Sequence, residues 1–151
     1  MLAEVGLPAF SACTRLLVVV PHPDDESIAT GLLIQQVRAA GGEEFLAWTA
    51  NADTLFVNAD EAAALTGTDD PARQIAILAA HCVTVVLKRG ADGAMAASRG
   101  GPILAQPAPP IAAFDTTGAG DAFGAGFLHV RLGGASLPQC LAAGVALGAQ
   151  A

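Results

Sequence analysis

Apolar positions in this chain fall into short blocks with two different periods. Residues 16–20 (LLVVV) form an aliphatic run bounded by Pro21, the pattern of a strand buried on both faces. Over 25–40, Ala29, Leu33, Val37 and Ala40 recur at helical spacing, and Ile28 and Leu32 widen the stripe. Asp24, Asp25 or Ser27 can cap that helix, and Gly41-Gly42 ends it. Residues 43–50 fit helix and strand equally. Residues 54–57 (TLFV) predict a strand and 58–67 a short helix closed by Gly67. In TDDPARQIAILAAHC, Asp69 or Asp70 can cap a helix with Pro71 in its first turn, and Ile75, Leu78, Ala79 and Cys82 form its apolar stripe. Residues 83–87 (VTVVL) read as a second buried strand. GAMAAS and PILAQP flank Arg99-Gly100-Gly101 and predict a hairpin. Residues 111–114 (IAAF) read as a small strand. Two helices, 120–132 and 137–150, follow around Gly133-Gly134.

This order of elements predicts an α/β domain with a mostly parallel, Rossmann-like sheet covered by helices. Four polar stretches directly follow four apolar runs: PHPDDE, NADE, KRGADG and DTTGAGD. If the strands are parallel, these stretches share the carboxyl edge of the sheet, where open α/β folds bind ligands. A plain reading, that loops after strands are polar and glycine-rich anyway, stands beside it.

Composition narrows the picture. The chain has 151 residues, 53% of them hydrophobic and 14% charged, with a net charge of −7. One domain, 1–151, is expected. Seven scattered basic residues speak against a nucleic-acid or anionic-membrane surface. An acidic chain can still hold a nucleotide through backbone N–H groups and a magnesium ion. Cys13, Cys82 and Cys140 lack CxxC spacing and read as reduced, buried thiols. No apolar run reaches transmembrane length, and the first residues lack a basic leader pattern, so the expectation is a cytoplasmic protein. Oligomerisation is left open.

DTTGAGDAFGAGF, 115–127, carries the sharpest chemistry. Gly118 and Gly120 allow a tight turn into a helix, with the N–H groups of Gly118, Ala119 and Gly120 turned outward as an anion site. Asp121 in the first turn is either an ordinary capping carboxylate or a group that takes a proton from an attacking hydroxyl beside that anion. Gly124 and Gly126 would let the helix approach its neighbours closely. The alternative is a glycine-rich turn and nothing more. Asn58 and Glu61, three residues apart, have the spacing of a helix capping box.

The segment closely resembles the signature of the PfkB (ribokinase-like) carbohydrate kinases. The resemblance runs over about residues 50–151 through ADTLFVNADEAAALTG, VTVVLKRGADGAMAA, the signature and the closing alanine-rich helix. It implies a three-layer α/β/α sandwich that transfers the ATP γ-phosphate to a sugar or related hydroxyl. By the same resemblance, Asp121 matches the catalytic base, and Gly118, Ala119 and Gly120 the anion hole, with Thr116 and Thr117 beside the phosphate. Asn58 and Glu61 match a motif tied to magnesium and phosphate placement. Lys88, Gly90 and Gly93 match a loop near ATP. The implied ligands are ATP, Mg2+ and a sugar-like substrate.

PHPDDES, with one imidazole and three carboxylates, resembles the opening of a different family, the PIG-L (LmbE-like) zinc deacetylases, over about residues 14–42. That resemblance implies His22 and Asp25 as zinc ligands and Asp24 as the base activating water. No third ligand matches: His81 and His129 fall in the kinase-like region. The chain therefore divides into a deacetylase-like strand–helix unit, 1–44, and a PfkB-like nucleotide-binding half, 45–151, with strand 16–20 expected to join the kinase sheet and helix 25–40 as its crossover. The expectation is a truncated kinase domain that retains phosphate binding without the half that supplies most of the sugar pocket and the lid. A zinc-dependent N-deacetylase fragment and a non-catalytic recombinant scaffold are the alternatives. A natural fusion, a truncation and a designed recombinant would all read this way.

Overall fold

The computed structural model describes residues 52–110 and 118–150, together with the backbone of Leu16–Val18. Among these residues five strands form one sheet in chain order: β1 (Leu16–Val18), β2 (Thr54–Asn58), β3 (Thr84–Lys88), β4 (Ala94–Ser98) and β5 (Leu104–Gln106). β1 pairs with β2, and β2 with β3, in parallel. The pairs β3–β4 and β4–β5 are antiparallel, so only β4 runs against the other four. Leu17 lies opposite Leu55, so the strand expected to join the kinase-like sheet does so. The crossover at 25–40, the stretch 43–50 and the strand expected at 111–114 lie outside the described residues.

Helices α1 (Ala59–Thr66) and α2 (Pro71–Ala79) cover one face, and α3 (Ala119–Leu132) and α4 (Leu137–Gly148) the other. Strand period decides which side chains meet which layer. Leu55, Val57, Val85 and Leu87 pack with Ala62, Ile75, Leu78 and Cys82. The alternate residues Phe56 and Val86 pack with Phe123, Phe127, Cys140 and Leu141. Both faces of β2 and β3 are therefore buried, which is why these strands are continuous apolar runs. The result is the three-layer α/β/α sandwich.

Local chemistry sets the helix boundaries. Asp70 caps α2, its Oδ1 accepting from the Ala72 N–H at 3.0 Å, with Pro71 as the first helical residue. Gly67 ends α1 with φ 67°, donating its N–H to Ala63 O. The expected stripe of α2 is buried, and burial pushes the Cys82 thiol up to about 11. Cys82 and Cys140 are free and buried, as their context predicted. No described helix is long and apolar enough to cross a membrane.

Phe127 is fully buried and meets Phe56 edge-on at 5.2 Å between ring centroids. Replacing it with alanine is expected to cost about 3–5 kcal/mol in denaturant unfolding, whereas Leu132→Ala on the exposed end of α3 should change stability by less than about 0.5 kcal/mol. Thr84 Oγ1 is buried without a hydrogen-bond partner among the described residues. Thr84→Val keeps the β-branched shape and removes the orphaned hydroxyl, so the same unfolding measurement should show a gain of about 1 kcal/mol.

Candidate functional site

Asn58 and Lys88 close β2 and β3 and are partners in the parallel register, so both stand on the carboxyl edge of the sheet. The chain passes from Asn58 straight into α1 through a complete capping box. Asn58 Oδ1 accepts from the Glu61 N–H at 2.8 Å, and the Asn58 N–H donates to Glu61 Oε2 at 2.7 Å. The helix-start role anticipated for this pair is therefore present in the structure. It also fixes the Glu61 carboxylate at the rim beside the strand end.

KRGADG behaves differently from a strand-to-helix loop. After Lys88 the chain makes a 3-10 turn, Gly90–Asp92, and returns at Gly93 into the antiparallel strand β4. The Arg89 N–H donates to Gly93 O at 2.8 Å and closes the turn. Of the four polar stretches, this one is thus a hairpin connection, though it still lies on the carboxyl edge of β3. Composition could not separate the two cases, because both kinds of turn need glycine and polar residues. Gly93 has φ 83°, and a Cβ there would lie 2.1 Å from Gln106 O and 2.6 Å from Ala108 N. Left-handed backbone and direct contact with the chain beyond β5 both require glycine.

The third component is the start of α3. Gly118 is the N-cap, with φ 81° and ψ −7°, and no side chain among the described residues caps this end. The first helical bond runs from the Ala122 N–H to Gly118 O at 2.9 Å. The N–H groups from Gly118 to Asp121 precede it and have no acceptor within the helix. Gly118, Gly120 and Asp121 are exposed. A Cβ on Gly120 would lie 3.1 Å from Lys88 Nζ, so the lysine ammonium stands at the mouth of α3. A helix N-terminus carries roughly half a positive charge. Such an end favours an anion, and the Lys88 ammonium lies beside it. Asp121, third in the helix, is the nearby carboxylate by sequence position.

α4 holds this first turn in place. A Cβ on Gly148 would lie 3.0 Å from Ala119 O, one on Gly144 3.0 Å from the Phe123 ring, and one on Gly126 2.8 Å from Ala143 O. The close approach expected of Gly124 and Gly126 belongs to Gly126. At Gly124 nothing among the described residues lies within 4 Å of an added methyl, because that position is two residues further round the helix from the α4 contact.

The structure thus brings together Asn58, Glu61, Lys88, Gly90, Gly93, Gly118, Ala119, Gly120 and Asp121 on one rim. Thr116, Thr117, His22, Asp24 and Asp25 lie outside the described residues. Among the described residues no group of three or more His, Cys, Asp or Glu could hold a metal ion. His129 is exposed on α3, and the His81 carbonyl accepts from Arg99 at 2.9 Å. Sequence reasoning passed over Arg89. It is ion-paired with Asp92 at 3.3 Å and lines an open cavity of about 270 Å3 with Asp60, Asp69 and Gln74, on the α1–α2 side. No periodicity marks this cavity, because it forms where two helix starts and a hairpin turn meet.

A helix-covered sheet with an open helix start on its carboxyl edge makes this an α/β protein, and the solved structures it superposes on share the ribokinase-like fold. The family model described as pfkB family carbohydrate kinase matches residues 32–151, and the chain belongs to that family. The match begins earlier than residue 45 and overlaps the segment that resembles a zinc deacetylase. A fructokinase from Klebsiella pneumoniae is 42% identical over 94 residues, 61% of this chain and 30% of the relative. The adenosine kinase from Sinorhizobium meliloti superposes with TM-score 0.67 at 28% identity, covering 80% of this chain and 36% of that one. A ribokinase-II-type protein from E. coli, solved in complex with ATP and Mg2+, superposes with TM-score 0.64 at 28% identity, covering 78% and 37%. The chain spans between 19% and 38% of the curated relatives it matches.

Gly93→Ala is expected to destabilise the protein by about 2–4 kcal/mol in chemical denaturation, from backbone strain plus overlap with the chain at 106–108. Gly100→Ala, with φ 73° but nothing within 4 Å of the added methyl, should cost only about 1 kcal/mol. Equal losses for the two would contradict the steric account of Gly93.

Proposed function

We propose that this chain carries the ATP-binding and phosphoryl-transfer side of a carbohydrate kinase. The carrying observation is the uncapped start of α3 with the Lys88 ammonium beside Gly120. Four N–H groups without an acceptor in the helix, with the Lys88 ammonium beside Gly120, suit a phosphate chain. The fit is supported by the exposure of Gly118 and Gly120, since the mouth is open to a ligand.

In this reading the N–H groups of Gly118, Ala119 and Gly120 donate to the oxygens of the transferred phosphoryl group, where charge develops. Thr117 stands next in the chain to that turn. Lys88 offsets charge on the phosphate chain, and the turn bearing Gly90 and Gly93 borders the nucleotide. Asp121 accepts the proton of the attacking hydroxyl as its oxygen bonds to the γ-phosphorus, while the bond from that phosphorus to the bridging oxygen breaks and ADP leaves. Magnesium in such sites is held by one or two carboxylates plus phosphate oxygens and water. A single rim carboxylate, Glu61, therefore fits, with Asn58 keeping it in place through the capping box. When bound, the ion neutralises phosphate charge. The acceptor is a sugar-like hydroxyl, by analogy with relatives named as sugar kinases. ATP and Mg2+ are supported by the matched structure solved with both.

Thermal melting with and without nucleotide tests the reading. With Mg2+ present, ATP at a hundred times its dissociation constant should stabilise the fold by about 2.7 kcal/mol. Gly120→Val, which crowds both the mouth and Lys88 Nζ, should weaken binding by more than about tenfold, equivalent to about 1.4 kcal/mol, while leaving the unliganded melt cooperative. Asp121→Asn should retain most of the binding and lower any sugar-dependent ATP turnover by about 100-fold or more. A melt unmoved by Mg2+ and ATP would count against nucleotide binding.

A further inference from the structure

We draw no further inference here: the strongest candidate, the open cavity of about 270 Å3 between the first turns of α1 and α2 and the Gly90–Asp92 turn, is rimmed by exposed carboxylates with Arg89 already paired to Asp92, and nothing in the structure shows what ligand would cover it.

Discussion

Close contact between α3 and α4 at three glycines governs where the candidate chemistry sits. Gly126 faces the backbone of Ala143, Gly144 faces the Phe123 ring, and Gly148 faces the carbonyl of Ala119. Each lets one helix approach the other more closely than a methyl would allow. The same helices press Phe123 and Phe127 onto Phe56 of β2, with ring centroids 5.2–6.4 Å apart. Core packing and helix–helix packing therefore locate the first turn of α3 together. That turn ends beside Lys88, on the edge to which β2 and β3 deliver Asn58 and Lys88.

Electrostatics gives the arrangement its direction. A lysine at a helix start opposes the helix dipole, since cations are favoured at the other end by about 0.3–1 kcal/mol. A fold selected for stability alone would put a carboxylate or hydroxyl cap there, as Asp70 caps α2 and Asn58 caps α1. The N-cap of α3 is Gly118, and no described side chain caps that end. Ser136 with Gln139 caps α4 as well, so three of the four described helices follow the stabilising rule and α3 departs from it where the glycines are exposed. Local rules broken at one place and kept elsewhere are the usual mark of a functional position.

The sequence was most informative where one physical cause acts alone. β2 and β3 are apolar because both their faces are covered, and Asp70-Pro71 announces α2 because a cap and a prefixed φ leave few alternatives. The capping box of Asn58 and Glu61 was visible as a spacing and proved to be hydrogen-bonded at both ends. Placement across the fold was not visible. KRGADG reads alike as a strand-to-helix loop or a hairpin, and the direction of β4 decides it. The approach of Lys88 Nζ to Gly120 depends on how α3 docks against the sheet, which no local pattern encodes. Gly124 and Gly126 look equivalent in sequence, yet only Gly126 meets α4, because helical rotation separates positions two apart. The cavity beside Arg89 likewise forms from three separate segments.

Family membership and geometry meet at the mouth of α3, and amide NMR addresses it most directly. On titration with a non-hydrolysable ATP analogue and Mg2+, the N–H signals of Gly118, Ala119, Gly120 and Asp121 should show the largest shifts in the spectrum, with the Lys88 side-chain ammonium moving alongside. Shifts concentrated elsewhere while these signals stay still would contradict the central claim that this helix start is the phosphate site.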